Sequence, residues 1–539
     1  MSVSPPAGHA ATGLATIWII CLAVAATAPA LFGSGSLGPE SLLDADPLYA
    51  RAAPPPSPGL FDPTRAYFDV PRDFAAADGF RQGRFDLWNP RVGLGRPLWS
   101  DGGALFLPTK IPFYLWPSRR TYDVATTLRL VVAGLGAFLL ARRRGLAPVP
   151  AAAAGTLFEL SGAMLATLPF GEEAPPCLLP WVLLGAEVIA QNRRAAAAAA
   201  TGVALGVAGA SGHVMFVVVV WAGFGVAMAG HALASWRRPR TALRIIALAT
   251  LAVAIGLALA APALLPVLEA QAVGRQYKTT SIYERQLVRF LSEARATFPV
   301  ALLMPFMVDR VRTVLTPAVG GLGLAFAVAG LLRRGLDPAL VAVALFGVGL
   351  TLAPPVLGWV GQIPIIHYVY PMYAWSLVAL PLTQAAGQGV AALSIPTARW
   401  TILGGLAVLL AGVASLMLVK VVFPASALGV LVGEVVVRSL GDRTAWVRAG
   451  LSTIVLPLAV VALVVGTRTR FRNRCAVAAT ALVGLELVVF VAPTSWFRDS
   501  ATLASPPSPA ETNPGRRCGV VSASPPVDCA VLSSMISHV

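Results

Sequence analysis

Carboxylates, arginines, aromatics and turn residues gather in one interval of an otherwise apolar chain, Asp62 to Pro117, which reads DPTRAYFDVPRDFAAADGFRQGRFDLWNPRVGLGRPLWSDGGALFLPTKIPFYLWP. Carboxylates accept protons from hydroxyl groups and clustered cations hold anions such as phosphate, so chemistry is to be sought here first. Asp62 precedes Pro63, as a turn cap would, and Asp69 follows seven residues later as a second carboxylate. Asp78 and Asp86 read as residues of a solvated face or as partners of Arg81 and Arg84, pairs that add little energy. Asp101 lies between Trp99-Ser100 and Gly102-Gly103, which marks a turn; a supporting or metal-ligand role is the alternative, and no metal motif accompanies it. Trp88-Asn89-Pro90 reads as a structural lock, with sugar contact as the other possibility.

A second polar group follows an apolar run: Glu269, Gln271, Arg275, Gln276, Tyr277 and Lys278, with Arg285 and Arg289 beyond. Arg275 can grip a phosphate through its planar fork, with Lys278, Arg285 or Arg289 adding charge, or it can snorkel to lipid headgroups. Glu159 falls inside an apolar run and needs a partner or water there; Glu172 and Glu173 lie at that run's end. His213 and His367 read as hydrogen-bonded structural histidines rather than bases.

The elements that must position these groups are membrane helices. Of 539 residues 56% are hydrophobic and 12% charged, and the mean hydropathy is +0.73, which excludes a soluble multidomain chain. The formal charge of +16 comes from short arginine clusters at the ends of apolar runs, not from a basic stripe with stacking aromatics, so nucleic-acid binding is not expected. Five cysteines show no metal spacing, and only Cys518 and Cys529, in a polar tail, are placed to pair.

The run from Gly13 to Phe32 is long enough to cross a bilayer and reads as a retained first helix, although Ala28 to Ala30 leaves a signal peptide open. Further spans are expected near 121–141, 147–170, 174–191, 195–211, 213–235, 243–267, 316–332, 338–357, 368–392, 400–423, 446–466 and 475–493, about thirteen in all. Arg142 to Arg144, Arg193-Arg194, Arg237 to Arg240, Arg333-Arg334 and Arg468 to Arg474 fall at alternate junctions, so a cytoplasmic amino terminus puts every cluster on one side. The chain then divides into 1–33, the amino-terminal region and first helix; 34–120, a long outer loop; 121–267, helices two to seven; 268–315, a second long outer loop; 316–493, the remaining helices; and 494–539, a Pro/Ser-rich outer tail. Within the first loop, 71–82 has the spacing of a short amphipathic helix through Phe74, Ala77 and Phe80 or Arg81. Leu105 to Trp116 is apolar but broken by Pro108 and Pro112, as in an interfacial or re-entrant segment.

The order Asp62, Tyr67, Pro71, Arg81-Gln82-Gly83, Trp88-Asn89-Pro90, Gly95-Arg96-Pro97-Leu98, Asp101 and Pro108 resembles the first outer loop of the YfhO-like bacterial membrane proteins, grouped with the GT-C glycosyltransferases. Leu160-Ser161-Gly162, Leu179-Pro180-Trp181, Gly212-His213 and Leu265 to Glu269 with Arg275 continue the likeness, over roughly 15–390. The chain departs from that pattern at Ala66-Tyr67 and around His367 to Pro371, and its tail is too short for the outer soluble domain such proteins commonly carry.

The resemblance implies an all-α polytopic bundle of GT-C type. It implies an inverting glycosyltransferase of the bacterial cytoplasmic membrane that moves a sugar from a polyprenyl-phosphate donor to a cell-envelope glycan, glycolipid or polymer on the outer face. Asp62 is then the base with Asp69 in reserve; Arg275, Lys278, Arg285 and Arg289 hold the donor phosphate; Tyr67, Trp88, Asn89, Asp101 and Glu269 support them. No cofactor is certain, a divalent cation is possible, and the partners are the lipid-linked donor, the acceptor and the bilayer. The rival readings are a transporter or flippase of lipid-linked glycans, for which no internal repeat is found, and a non-catalytic scaffold of the same fold.

Overall fold

A computed structural model describes residues 8–33, 70–84, 88–89, 96–97, 106–165, 174–273, 318–352, 371–395, 399–426 and 472–491, with a few isolated positions between them. Apart from a two-residue antiparallel ladder that pairs Trp88 with Pro97 and Asn89 with Arg96, the regular structure there is helical.

Helix α1 (Gly8–Leu31) packs on α4 (Arg119–Arg143), which also meets α5 (Pro148–Glu159) and α7 (Leu179–Asn192). Before α4 come α2 (Val70–Arg81), a 3₁₀ turn (Pro108–Lys110) and the short α3 (Ile111–Leu115). Between α5 and α7 lies α6 (Gly162–Leu165). Helices α8 (Ala195–Gly209), α9 (Val214–Ala234) and α10 (Pro239–Val273) follow, with α8 lying along α10. Then come α11 (Gly321–Arg334), α12 (Pro338–Leu352), α13 (Trp375–Ala392), α14 (Arg399–Val422) and α15 (Arg472–Val491). Among the described residues four helices are long and apolar enough to span a membrane, namely α4, α9, α10 and α14, and several shorter apolar helices pack with them.

Among the boundaries that differ from the sequence expectation, two have a clear physical cause. The single span over 147–170 stops at Glu159, because the amide of Gly162 donates to the carbonyl of Ala318 (2.8 Å) instead of continuing the helical ladder. Non-helical backbone at such depth is tolerated when protein surrounds it, and Leu160, Ser161 and Gly162 are all buried. At the other boundary, the outer loop expected from 268 begins later. Helix α10 continues through Val273, since Leu268 to Val273 contains no breaker after Pro266. Its 35 residues reach about 52 Å, well beyond a hydrocarbon core of about 30 Å, so one end stands clear of the apolar slab with Glu269 exposed on it.

Without a hydrophobic force between helices in lipid, close packing of small residues and interhelical hydrogen bonds do the joining. A Cβ on Gly330 of α11 would overlap the carbonyl oxygen of Ala385 on α13, and one on Gly389 of α13 would overlap that of Phe326. Trp181 donates its indole N–H to the Val132 carbonyl of α4 (2.8 Å), and Gln384 donates to that of Ala137 (3.1 Å). The buried Glu486 of α15 accepts the amides of Gly321 (2.8 Å) and Leu322 (3.1 Å), capping α11 from a different helix.

The bundle has two chemically distinct ends. At one, Arg143 meets Asn192 (3.0 Å), Arg193 meets Thr241 (3.5 Å) and Arg144 meets Asp337 (3.7 Å), so the ends of α4 and α7 gather with the starts of α10 and α12. At the other, Arg120 donates to the carbonyls of Ala30 and Gly33 at the end of α1, and Asp123 accepts the Leu37 amide (2.8 Å). Helices α2 and α3 pack at this second end.

Candidate functional site: a buried ionic group at the loop end of the bundle

Helix α2 buries Arg72, Asp73, Ala76 and Ala77, a face with helical spacing that shares Ala77 with the expected Phe74–Ala77–Phe80 stripe but is rotated around the helix from it. Phe74 sits at its margin, edge-on to Phe113 at 5.0 Å, and Phe80 meets Tyr114 at the same distance. The broken segment before α4 supplies the opposing surface. Leu107, Thr109, Lys110 and Phe113 turn inward, while Ile111, Leu115 and Trp116 are exposed in a stripe suited to a lipid interface. Pro108 opens the 3₁₀ turn and Pro112 opens α3, which fixes the bend that carries Lys110 inward.

Lys110 Nζ lies 2.6 Å from Asp73 Oδ2, and both side chains are buried. Arg72 approaches the same carboxylate at 3.8 Å. Arg129, fully buried on α4, acts electrostatically on both Lys110 and Tyr114. Burial pulls the Lys110 ammonium down to about 8; Asp73 opposes the shift, and the charges of Arg129 and Arg72 add to it. Burial, reinforced by Asp73, raises the Tyr114 phenol well above its usual range. Tyr122 stacks edge-on to Phe113 at 5.5 Å and completes the wall.

A group of this composition can hold an anion or orient a polar ligand, because each charge sits where water screens it weakly. Arg72, Asp73 and Lys110 lie within the interval expected to carry the chemistry, and Asp69 is the residue before Val70, the first of α2. Asp62, Tyr67, Asp69, Asp101, Arg275, Lys278, Arg285, Arg289 and His367 lie outside the described residues. Trp88 is exposed on the ladder and Asn89 is its neighbour there. Glu269 is exposed on α10. His213 caps α9, its Nδ1 accepting from the Met215 amide (3.4 Å), with Phe216 and Tyr373 around the ring. Glu159 is completely buried at the end of α5.

Reading the sequence alone missed Asp73, Lys110 and Arg129. The signal was present for Arg129, a charge inside a predicted span, and for Lys110, a charge inside an apolar broken segment; both are costly placements.

Fold and site together define a polytopic helical membrane protein with ionisable groups buried at one end of its bundle. Residues 106–427, more than half of the chain, match a family described as "6-pyruvoyl-tetrahydropterin synthase related domain; membrane protein", and the chain belongs to that family. Lys110 and Arg129 fall inside the match and Asp73 outside it. No curated protein matches.

Among solved structures, the chain is similar to the arabinofuranosyltransferase AftD from Mycobacteria at 20% identity and a TM-score of 0.45, over 77% of this chain and 27% of that one. It is also similar to ArnT from Cupriavidus metallidurans bound to undecaprenyl phosphate, at 15% identity and a TM-score of 0.44, over 88% of this chain and 76% of that one. The chain thus spans little more than a quarter of AftD, and likenesses this distant carry no part of the functional argument.

Proposed function

We propose that this chain is a GT-C-type glycosyltransferase of the bacterial cytoplasmic membrane, transferring a sugar from a polyprenyl-phosphate donor to a cell-envelope glycan, glycolipid or polymer at the outer face. The observation that carries the reading is the buried group formed by Asp73, Lys110, Arg72 and Arg129 at the end of the bundle that receives the Asp62–Pro117 interval. Most of the chain's arginines lie at helix ends, whereas this group buries three cations around one carboxylate, and Arg129, an ionisable residue within a span, is a functional-site candidate by its cost. The ordered likeness of that interval to YfhO-like proteins supports the donor class.

In the proposed reaction the acceptor hydroxyl oxygen bonds to the anomeric carbon as the bond from that carbon to the phosphate oxygen breaks. The electron pair leaves with the polyprenyl phosphate, and Asp62, or Asp69 in reserve, takes the hydroxyl proton. Arg275, Lys278, Arg285 and Arg289 hold the leaving phosphate, and Tyr67, Trp88, Asn89, Asp101 and Glu269 support the substrates. Lys110 and Arg129 add positive potential at this end of the bundle. Attack opposite the leaving group inverts the sugar. The amino terminus is cytoplasmic and the loops at 34–120 and 268–315 are outside, which puts the basic end of the bundle inside.

The test is sugar transfer by purified, reconstituted protein offered a panel of polyprenyl-phosphate sugars, comparing the parent with Asp62→Asn and Asp69→Asn. Transfer by the parent that falls at least about 100-fold in Asp62→Asn, with folding and donor binding intact, supports the enzyme and its base. Absence of turnover, with donor lipid scrambled across the bilayer, replaces it with the flippase.

A further inference from the structure

Far from the Asp73–Lys110 group, at the basic end of the bundle, three potential metal ligands converge. Glu187 of α7, His231 of α9 and Asp337, immediately before α12, each bring a ligand atom within 4.8 Å of the other two. We propose that they form a site for one divalent transition-metal ion of the zinc or manganese type, clasping three helices together. This inference stands apart from the glycosyltransferase reading and does not rest on it.

Geometry and chemistry both fit. His231 Nε2 and Glu187 Oε2 lie 3.6 Å apart. Two ligand atoms bound at about 2.1 Å to one tetrahedral zinc are about 3.4 Å apart, so this pair is already close to the spacing an ion needs. One imidazole and two carboxylates make a mixed nitrogen and oxygen set that suits zinc or manganese, and their two negative charges balance a divalent ion. All three residues are partly buried, which favours capture over hydration.

The ligands are also held in place by their other atoms. Gln191 donates to Glu187 Oε1 at 2.5 Å, leaving Oε2 turned to the histidine. The Ala339 amide donates to Asp337 Oδ1 at 2.9 Å, fixing that carboxylate at the start of α12. Supporting bonds of this kind orient metal ligands and typically matter about 10–100-fold in affinity. Without an ion, Arg144, 3.7 Å from Asp337, is the positive charge beside the two carboxylates, and His231 stands against Glu187. An ion-pair network without metal is therefore the competing account.

The experiment uses the full chain in detergent, stripped with chelator and titrated separately with ZnCl2 and MnCl2 by calorimetry, with cobalt(II) absorption as a spectroscopic readout. Expected are saturation at one equivalent per chain, a rise in melting temperature on metal addition, and about 10–100-fold weaker binding in Gln191→Leu. Saturable binding is lost in Glu187→Gln and His231→Gln. Should those variants fold poorly, Asp337→Asn still offers an oxygen to the Ala339 amide and is expected to fold while binding metal at least about tenfold more weakly. Failure of the parent to bind, or binding unchanged in every variant, overturns the proposal. A melting temperature that falls in the variants, and with added salt in the parent, but does not respond to metal assigns the trio to the ion-pair network instead. None of these readouts involves sugar transfer, so the site and the enzymatic reading fail separately.

Discussion

Lys110 Nζ and Asp73 Oδ2 sit 2.6 Å apart with both side chains buried, joining α2 to the turn that enters the bundle across 37 residues of chain. Taking two charges out of water is costly; removing Asp73 takes from Lys110 the carboxylate that opposes its burial, whereas removing Lys110 leaves Asp73 with Arg72 at 3.8 Å.

Asp73→Asn is therefore expected to destabilise the protein by about 3–5 kcal/mol and Lys110→Met by less, while the double variant loses clearly less than the sum. Unfolding in detergent, read as a double-mutant cycle, checks this. Additive losses would mean that the contact carries no coupling.

Lys110 also predicts a pH dependence. Unfolded, its ammonium keeps a proton to its ordinary value of 10.5; folded, burial releases it near 8. Between these values the unfolded state binds more protons, so this residue makes stability rise with pH from about 8 to 10.5 and adds no slope below 8. Lys110→Arg, which stays charged, removes the rise. The melting temperature of the parent minus that of the variant, followed across pH 8 to 10.5, should climb; a flat difference would contradict the assignment.

The α11–α13 contact depends on absent side chains. Since a Cβ at Gly330 or Gly389 would overlap a facing carbonyl oxygen, Gly330→Val and Gly389→Val must push the helices apart. A loss of about 1–3 kcal/mol or more is expected in thermal unfolding, against almost none for Gly225→Ala, where the same Cβ meets nothing within 4 Å.

Glu486 caps α11 through the amides of Gly321 and Leu322. Glu486→Ala is expected to cost about 0.5–2 kcal/mol, and Glu486→Gln less, because the amide oxygen still accepts. Hydrogen exchange confined to the first turn of α11 would locate the effect; unchanged protection there would show that the cap contributes nothing.

The positions of α4, α8, α9, α12 and α14 were legible within a few residues, because apolar runs bounded by arginine clusters, glycine or proline leave few alternatives. The break at Leu160 was not. Leu160-Ser161-Gly162 was visible as a motif, but helix termination there depends on a bond from Gly162 to Ala318, more than 150 residues away. About thirteen spans remain the sequence expectation, since 446–466 lies almost wholly outside the described residues.

By itself the sequence determined the class of protein, because hydropathy and span length are sums over neighbouring residues and lipid admits helices whose backbone is satisfied locally. It also marked the interval after Asp62 as polar, since composition is local as well. Only the tertiary structure decided which charges matter together. Asp73, Lys110 and Arg129 come from three separate elements, as do Glu187, His231 and Asp337, and no local period relates them. Electrostatic attraction follows distance in space through a weakly screening interior, and that distance exists only once the helices have packed.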